Sequence, residues 1–286
     1  MPVFRGLLTT VLAAALAIGG CSGGGTAEAP SPDEASLSRL QLIGKRIFFD
    51  TSLSNPAGQA CGSCHVAATA FSGNFGSTVG VPFAADGMTL GLRNTPTAMY
   101  ASFTPPFSVQ ADGAKLLPIG GQFLDGRAAG LEQQARMPFF AAGEMNLGSD
   151  AELSARLANA SYGPLMLEEF GAAIFSDPKA AVDAATRAIA AFERTAAFAP
   201  FSSKFDGSLA GTAVLSDLEK EGMRLFEDTQ KGNCTRCHAF KPATRVPAEL
   251  LFTNFEYNNI GVPRNARIPS NADSAFFDLG LCGPRR

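Results

Sequence analysis

Tryptophan is absent from this chain, tyrosine occurs three times and histidine twice among 286 residues, against 23 phenylalanines. Charge is also scarce: charged residues make up 17%, the formal net charge is −3, and no basic block is longer than a pair. Nucleic acid is therefore excluded as an expected partner. No apolar run is long enough to span a bilayer. The longest, Leu7 to Ile18, would cover about 18 Å as a helix, against about 30 Å of hydrocarbon. What the chain does have is a 46% apolar content and room for about two domains, which rules out a disordered or fibrous protein. The chemistry then turns on where two histidines and six cysteines fall.

The N-terminus reads as an address. Arg5, the apolar stretch and Gly19-Gly20-Cys21 have the order of an export signal over residues 1–20. Ile18-Gly-Gly-Cys21 resembles a bacterial lipobox, which makes Cys21 the lipidated first residue of the mature chain; the alternative is an ordinary signal with a chance cysteine. Residues 21–35, rich in Gly, Ala, Ser and Pro, read as a flexible tether. The expected location is periplasmic, with the membrane touched only through the lipid anchor, where thiols are not kept reduced.

Cys61-Gly-Ser-Cys64-His65 and Cys234-Thr-Arg-Cys237-His238 are both C-x-x-C-H, the attachment pattern of c-type haem, and together they use both histidines. Two thiols three apart reach the two vinyl groups of one porphyrin, and the adjacent imidazole becomes the proximal iron ligand. The pattern predicts two covalently bound haem c groups. A four-cysteine zinc site and a redox dithiol pair are the alternatives, but zinc does not call for a histidine after each second cysteine.

A duplication surrounds the motifs. Gly44-Lys-Arg-Ile-Phe-Phe-Asp-Thr51 matches Gly222-Met-Arg-Leu-Phe-Glu-Asp-Thr229 at Gly, Arg, Phe, Asp and Thr. Each copy closes an amphipathic helix with a start signal: Ser31-Pro-Asp-Glu34 ahead of Leu37, Leu40, Ile43 and Ile47, and Ser216-Asp-Leu-Glu219 with Leu218, Leu225 and Phe226. Ser149-Asp-Ala-Glu152 opens another helix, and Asp177-Pro178 a long one with Val182, Ala185, Ile189 and Phe192 on one face. No convincing strand alternation is present. The expected fold is all-α: two cytochrome c-like haem domains, residues 36–200 and 213–286, with 66–125 as a long loop wrapping the first haem and 201–212 as the join.

On these residues the chain resembles the bacterial dihaem cytochrome c peroxidases, the group that includes MauG. The likeness rests on Gly44 to Asp50, both haem motifs, Arg93-Asn-Thr-Pro96, Phe123-Leu-Asp-Gly-Arg127, Leu131-Glu-Gln-Gln-Ala135, Glu144-Met145 and Asn259-Ile-Gly-Val-Pro263. It implies a peroxide site at the haem of His65 and a second haem, at His238, that receives electrons from a small cytochrome c or cupredoxin. The family's distal pair falls on Gln134 and Glu144. Peroxide cleavage needs a proton moved from one oxygen to the other, which a partly desolvated carboxylate does well; read alone, Glu144 is a surface or helix-start carboxylate. Asn94 matches a residue that helps bind calcium in relatives, though by itself it is a loop asparagine. Arg127 pairs with Asp125 or a haem propionate in this reading. Many relatives are dimers, so a homodimer is a further implication.

The departures are specific. No histidine is left to cap the first haem, which is expected to be open or capped by water or a weak ligand such as Met88. Leu124 stands where the family usually has Trp between the haems, which weighs against MauG-like oxidation of a protein substrate. Only 48 residues follow His238, so the second domain is expected to be incomplete, without an assignable sixth ligand; the leftover Cys282 is read either as the partner of a cysteine in the absent segment or as a buried apolar thiol. The expected function is reduction of hydrogen peroxide to water; the alternatives are a dihaem electron carrier and a MauG-like oxidase.

Overall fold

The computed structural model describes residues 34–239 and 249–283. Cys21, the signal segment and nearly all of the tether lie outside the described residues. No helix among the described residues is long and apolar enough to cross a membrane.

One helix organises the core. Helix α6 (Pro178–Glu193) starts where Asp177 accepts a hydrogen bond from the Ala180 amide at 3.2 Å and Pro178 takes the first helical position. Val182, Ala185, Ile189 and Phe192 are buried as expected, and so are Ala181, Ala184, Ala188 and Ala190. The helix is therefore enclosed on several sides, with α1 (Arg39–Phe48), α3 (Leu131–Phe140) and α4 (Asp150–Asn159) packed on it. Alanine lets these backbones come close. At the α1 crossing a Cβ on Gly44 would lie 1.9 Å from the Ala188 carbonyl oxygen, so only glycine fits. Phe48, Phe71, Phe192 and Phe198 fill the space beside this crossing, three of them edge-to-face against Phe48 at centroid distances of 5.6–6.2 Å.

Helix α1 begins later than expected. Its cap is Ser38, whose hydroxyl accepts from the Gln41 amide at 3.2 Å while the Gln41 side chain accepts from Ser38 N at 2.9 Å. Glu34, read as part of the start signal, instead reaches Lys45 at 3.7 Å and Arg46 at 3.5 Å. Helix α4 does start on Ser149 and α8 (Asp217–Glu227) on the Ser216/Glu219 box. The two halves of the duplication differ in what covers them. Gly222 has nothing within 4 Å of its would-be Cβ. Leu218, expected on the packed face of α8, is 82% exposed, and no α8 residue is buried.

The all-α expectation needs one correction. Strands β1 (Ser108–Asp112) and β2 (Lys115–Ile119) form an antiparallel hairpin with Asp112 opposite Lys115. The available signal was Asp112-Gly113, Gly113 having φ +59°. Alternation could not reveal it, because every β1 residue is exposed. The hairpin reaches the second unit: Gly120 N donates to Phe255 O at 2.9 Å, and Tyr257 N to Pro118 O at 3.1 Å. The join is also partly helical, with α7 (Lys204–Leu209) capped by Ser203 and tied to α8 by Lys204–Glu219 at 2.6 Å.

Candidate active site

Each C-x-x-C-H segment is held by its own half of the duplication. Cys61–Cys64 forms the single turn α2, and the His65 amide closes it on Cys61 O at 2.8 Å. The chain then turns through Ala70 (φ 56°) and Phe71 (φ 52°), which brings the Phe71 carbonyl to 2.9 Å from His65 Nδ1. Phe48, from the repeated helix, lies 6.4 Å from the imidazole at 46°. The second unit repeats this: His238 Nδ1 is 3.1 Å from Phe252 O, Phe252 has φ 55°, and Phe226 lies 6.4 Å from the ring at 44°. In both, Nδ1 donating to a carbonyl leaves Nε2 as the ligating nitrogen. Burial pulls the His65 imidazole below its ordinary value, against the carbonyls of Phe71 and Pro96, so it is held neutral, as a metal ligand must be.

The thiols fit haem attachment better than the alternatives. Burial, with Glu193 adding to it for Cys61 and Glu144 for Cys64, pushes both up to about 12. Among the described residues no three His, Cys, Asp or Glu side chains gather as a metal cluster, so the two motifs do not merge into a zinc site. The second motif is more open, Cys237 and His238 being exposed. Near it a cavity of about 470 Å³ is lined by Phe123, Phe201, Phe205, Phe252 and Phe255, between the two units.

Glu144 is positioned by the loop that doubles back on α3. Its amide donates to Ala141 O at 2.9 Å, and its carbonyl accepts from Ala85 N at 2.9 Å. The carboxylate accepts no hydrogen bond among the described residues, and its charge is felt by both Cys61 and Cys64. Burial raises its proton affinity while Arg127 opposes the rise. Gln134 is half-buried on α3. Arg127 donates to Asp125 at 2.8 Å and lies 3.6 Å over the Phe123 ring. Burial alone would raise buried Asp125, but Arg127 and Arg93 hold it below the ordinary carboxylate range. Arg93 also grips Asp278 through two 2.6 Å contacts, so one ionic chain runs from beside Glu144 to the C-terminal segment.

Other expected residues find less. Met88 is 78% exposed. Asn94 is exposed, and among the described residues no cluster of three His, Cys, Asp or Glu side chains surrounds it. Leu124, in the Trp place, is 49% exposed, and Cys282 is a free, exposed thiol. Sequence reading missed Glu193, the last residue of α6. It is 6% exposed, its Oε2 lacks a partner, and burial pushes it up to about 8, against Arg194 and with Glu132.

The model of the di-haem cytochrome c peroxidase family matches residues 38–214, and the chain belongs to that family. Haem is accordingly its implied cofactor. Methylamine utilization protein MauG of Paracoccus denitrificans is 39% identical over 264 residues, covering 90% of this chain and 65% of that protein. Cytochrome c551 peroxidase of Pseudomonas aeruginosa is 30% identical over 223 residues, 73% of this chain and 55% of that one. The crystal structure of the diheme peroxidase BthA from Burkholderia thailandensis superposes with a TM-score of 0.78 at 36% identity, covering 89% of this chain and 60% of that one. The chain thus spans 55–65% of the length of these relatives.

Proposed function

We propose that the chain is a dihaem c-type peroxidase that reduces hydrogen peroxide to water with electrons from a small periplasmic cytochrome c or cupredoxin. Cys61, Cys64 and His65 would hold one haem and Cys234, Cys237 and His238 the other; bound there, haem supplies the iron that takes up peroxide and the path for electrons. The observation that carries the reading is Glu144: a desolvated, unbonded carboxylate within electrostatic reach of both Cys61 and Cys64. It takes a proton from one peroxide oxygen and returns it to the other, so that water can leave. Gln134 steadies the peroxide or its water by donating a hydrogen bond. The exposed second motif suits docking of a redox partner, and export with a lipid at Cys21 would place the enzyme where such partners are found.

The test is oxidation of a reduced small cytochrome c by the full, haem-loaded chain, with and without peroxide. Peroxide-dependent cytochrome oxidation is expected. The 39% identity to MauG favours one other reading; peroxide consumed without cytochrome oxidation, while an added protein substrate is oxidised, would replace the peroxidase reading with an oxidase one.

A further inference from the structure

Tyr162 is a buried phenol with a carboxylate on its hydroxyl. It is 3% exposed, and its OH donates to Asp50 Oδ2 at 2.7 Å. Asp50 is the aspartate of the first repeat, and its other oxygen accepts from Ser52 N at 2.8 Å and Ser52 Oγ at 2.6 Å. Cys61 packs on the apolar cluster that contains Tyr162, close enough for the two groups to interact electrostatically. The second repeat lacks this pairing. Asp228 keeps the turn bond, from Gln230 N at 2.9 Å, but its Oδ2 faces Arg224 at 3.3 Å.

A structural tether would need no carboxylate, since a neutral acceptor would also hold the phenol, though less strongly. What the carboxylate adds is a proton acceptor, and Asp50, unlike Tyr162, is partly open to solvent. With no tryptophan in the chain, tyrosine is the readily oxidised aromatic side chain present. We propose that Tyr162 is a one-electron redox site of the first unit, giving its electron to the peroxide-oxidised haem held at Cys61 and its proton to Asp50. The phenol O–H bond breaks and an O–H bond forms on the Asp50 carboxylate. Tyrosine is oxidised to a neutral phenoxyl radical, and the haem is reduced by one electron. Burial and the Asp50 charge keep the phenol protonated until then, so proton and electron leave together. An electron from the redox partner and the proton from Asp50 restore the pair. Tyr162 thereby stores one of the two oxidising equivalents of peroxide while electrons arrive singly. The inference rests on the peroxide reading of the first unit.

The experiment is freeze-quench EPR of the full, haem-loaded chain after mixing with hydrogen peroxide, with haem absorbance recorded in parallel. A phenoxyl signal is expected in the wild type. It should fall to background in Tyr162→Phe and persist in the Tyr100→Phe/Tyr257→Phe double variant, whose only tyrosine is Tyr162. Loss of the signal in the double variant, or a haem that reacts with peroxide without any phenoxyl signal, overturns the inference, and the double variant decides even if Tyr162→Phe does not fold. Unchanged haem absorbance refutes the peroxide reading, and the inference falls with it.

Discussion

Glu193→Gln should change how stability depends on pH, by an amount the structure sets. Glu193 is held at about 8, against 4.5 for a free glutamate. For an acid, a raised folded value means that the folded state binds more protons than the unfolded state between those two pH values. Stability is therefore lost as pH climbs from about 4.5 to about 8 and levels off above that. At roughly 1.4 kcal/mol per unit, the penalty is about 1.4 kcal/mol near pH 5.5 and about 4 kcal/mol near pH 7.5. Glutamine has the same shape and no charge, so the variant escapes this slope. Equilibrium guanidinium unfolding of both haem-loaded proteins should show the variant gaining about 2.5 kcal/mol on the wild type between those two pH values. Parallel pH profiles would refute the reasoning and mean that Glu193 finds a charged partner or solvent.

The duplicated glycines should behave oppositely. Gly44→Ala drives a Cβ into the Ala188 carbonyl and should cost about 3 kcal/mol or prevent folding, whereas Gly222→Ala, in open space on α8, should stabilise by up to about 1 kcal/mol; thermal unfolding checks both. In the ionic chain, Asp125→Ala strips a buried acceptor from two arginines and should cost about 3 kcal/mol. Asp278→Ala, at a 40% exposed site, should cost less than about 1 kcal/mol. Arg127→Leu removes the charge that opposes the raised proton affinity of Glu144. The acid limb of the peroxide reaction should move to higher pH, and an unmoved limb would show that Arg127 does not act on Glu144.

Helix starts were legible where one start signal stands alone, as at Ser149, Asp177 and Ser216, because the capping side chains and the amides they bond are all local. At α1 two boxes compete within eight residues, and what separates them is Glu34 pairing with Lys45 and Arg46 across the helix, a contact no start pattern contains. The duplication was visible as letters, and the two histidines do share their carbonyl and phenylalanine surroundings. Packing was not visible. Gly44 and Gly222 read alike, yet only Gly44 meets α6. The hairpin was hidden because its exposed first strand has no alternating face. Glu193 and Tyr162 were invisible for a related reason: each draws its character from groups distant in sequence, Cys61 and Glu132 around Glu193, and Asp50 bonded to Tyr162.

The account stands on Glu144 as the proton-moving group of a peroxide site beside Cys61 and Cys64. Stopped-flow absorbance of the oxidised, haem-loaded chain mixed with hydrogen peroxide, beside Glu144→Gln, tests it most directly. The wild type should change its haem spectrum rapidly and the variant at least about a hundredfold more slowly. Equal rates in the two proteins, or no spectral change in the wild type, would contradict it.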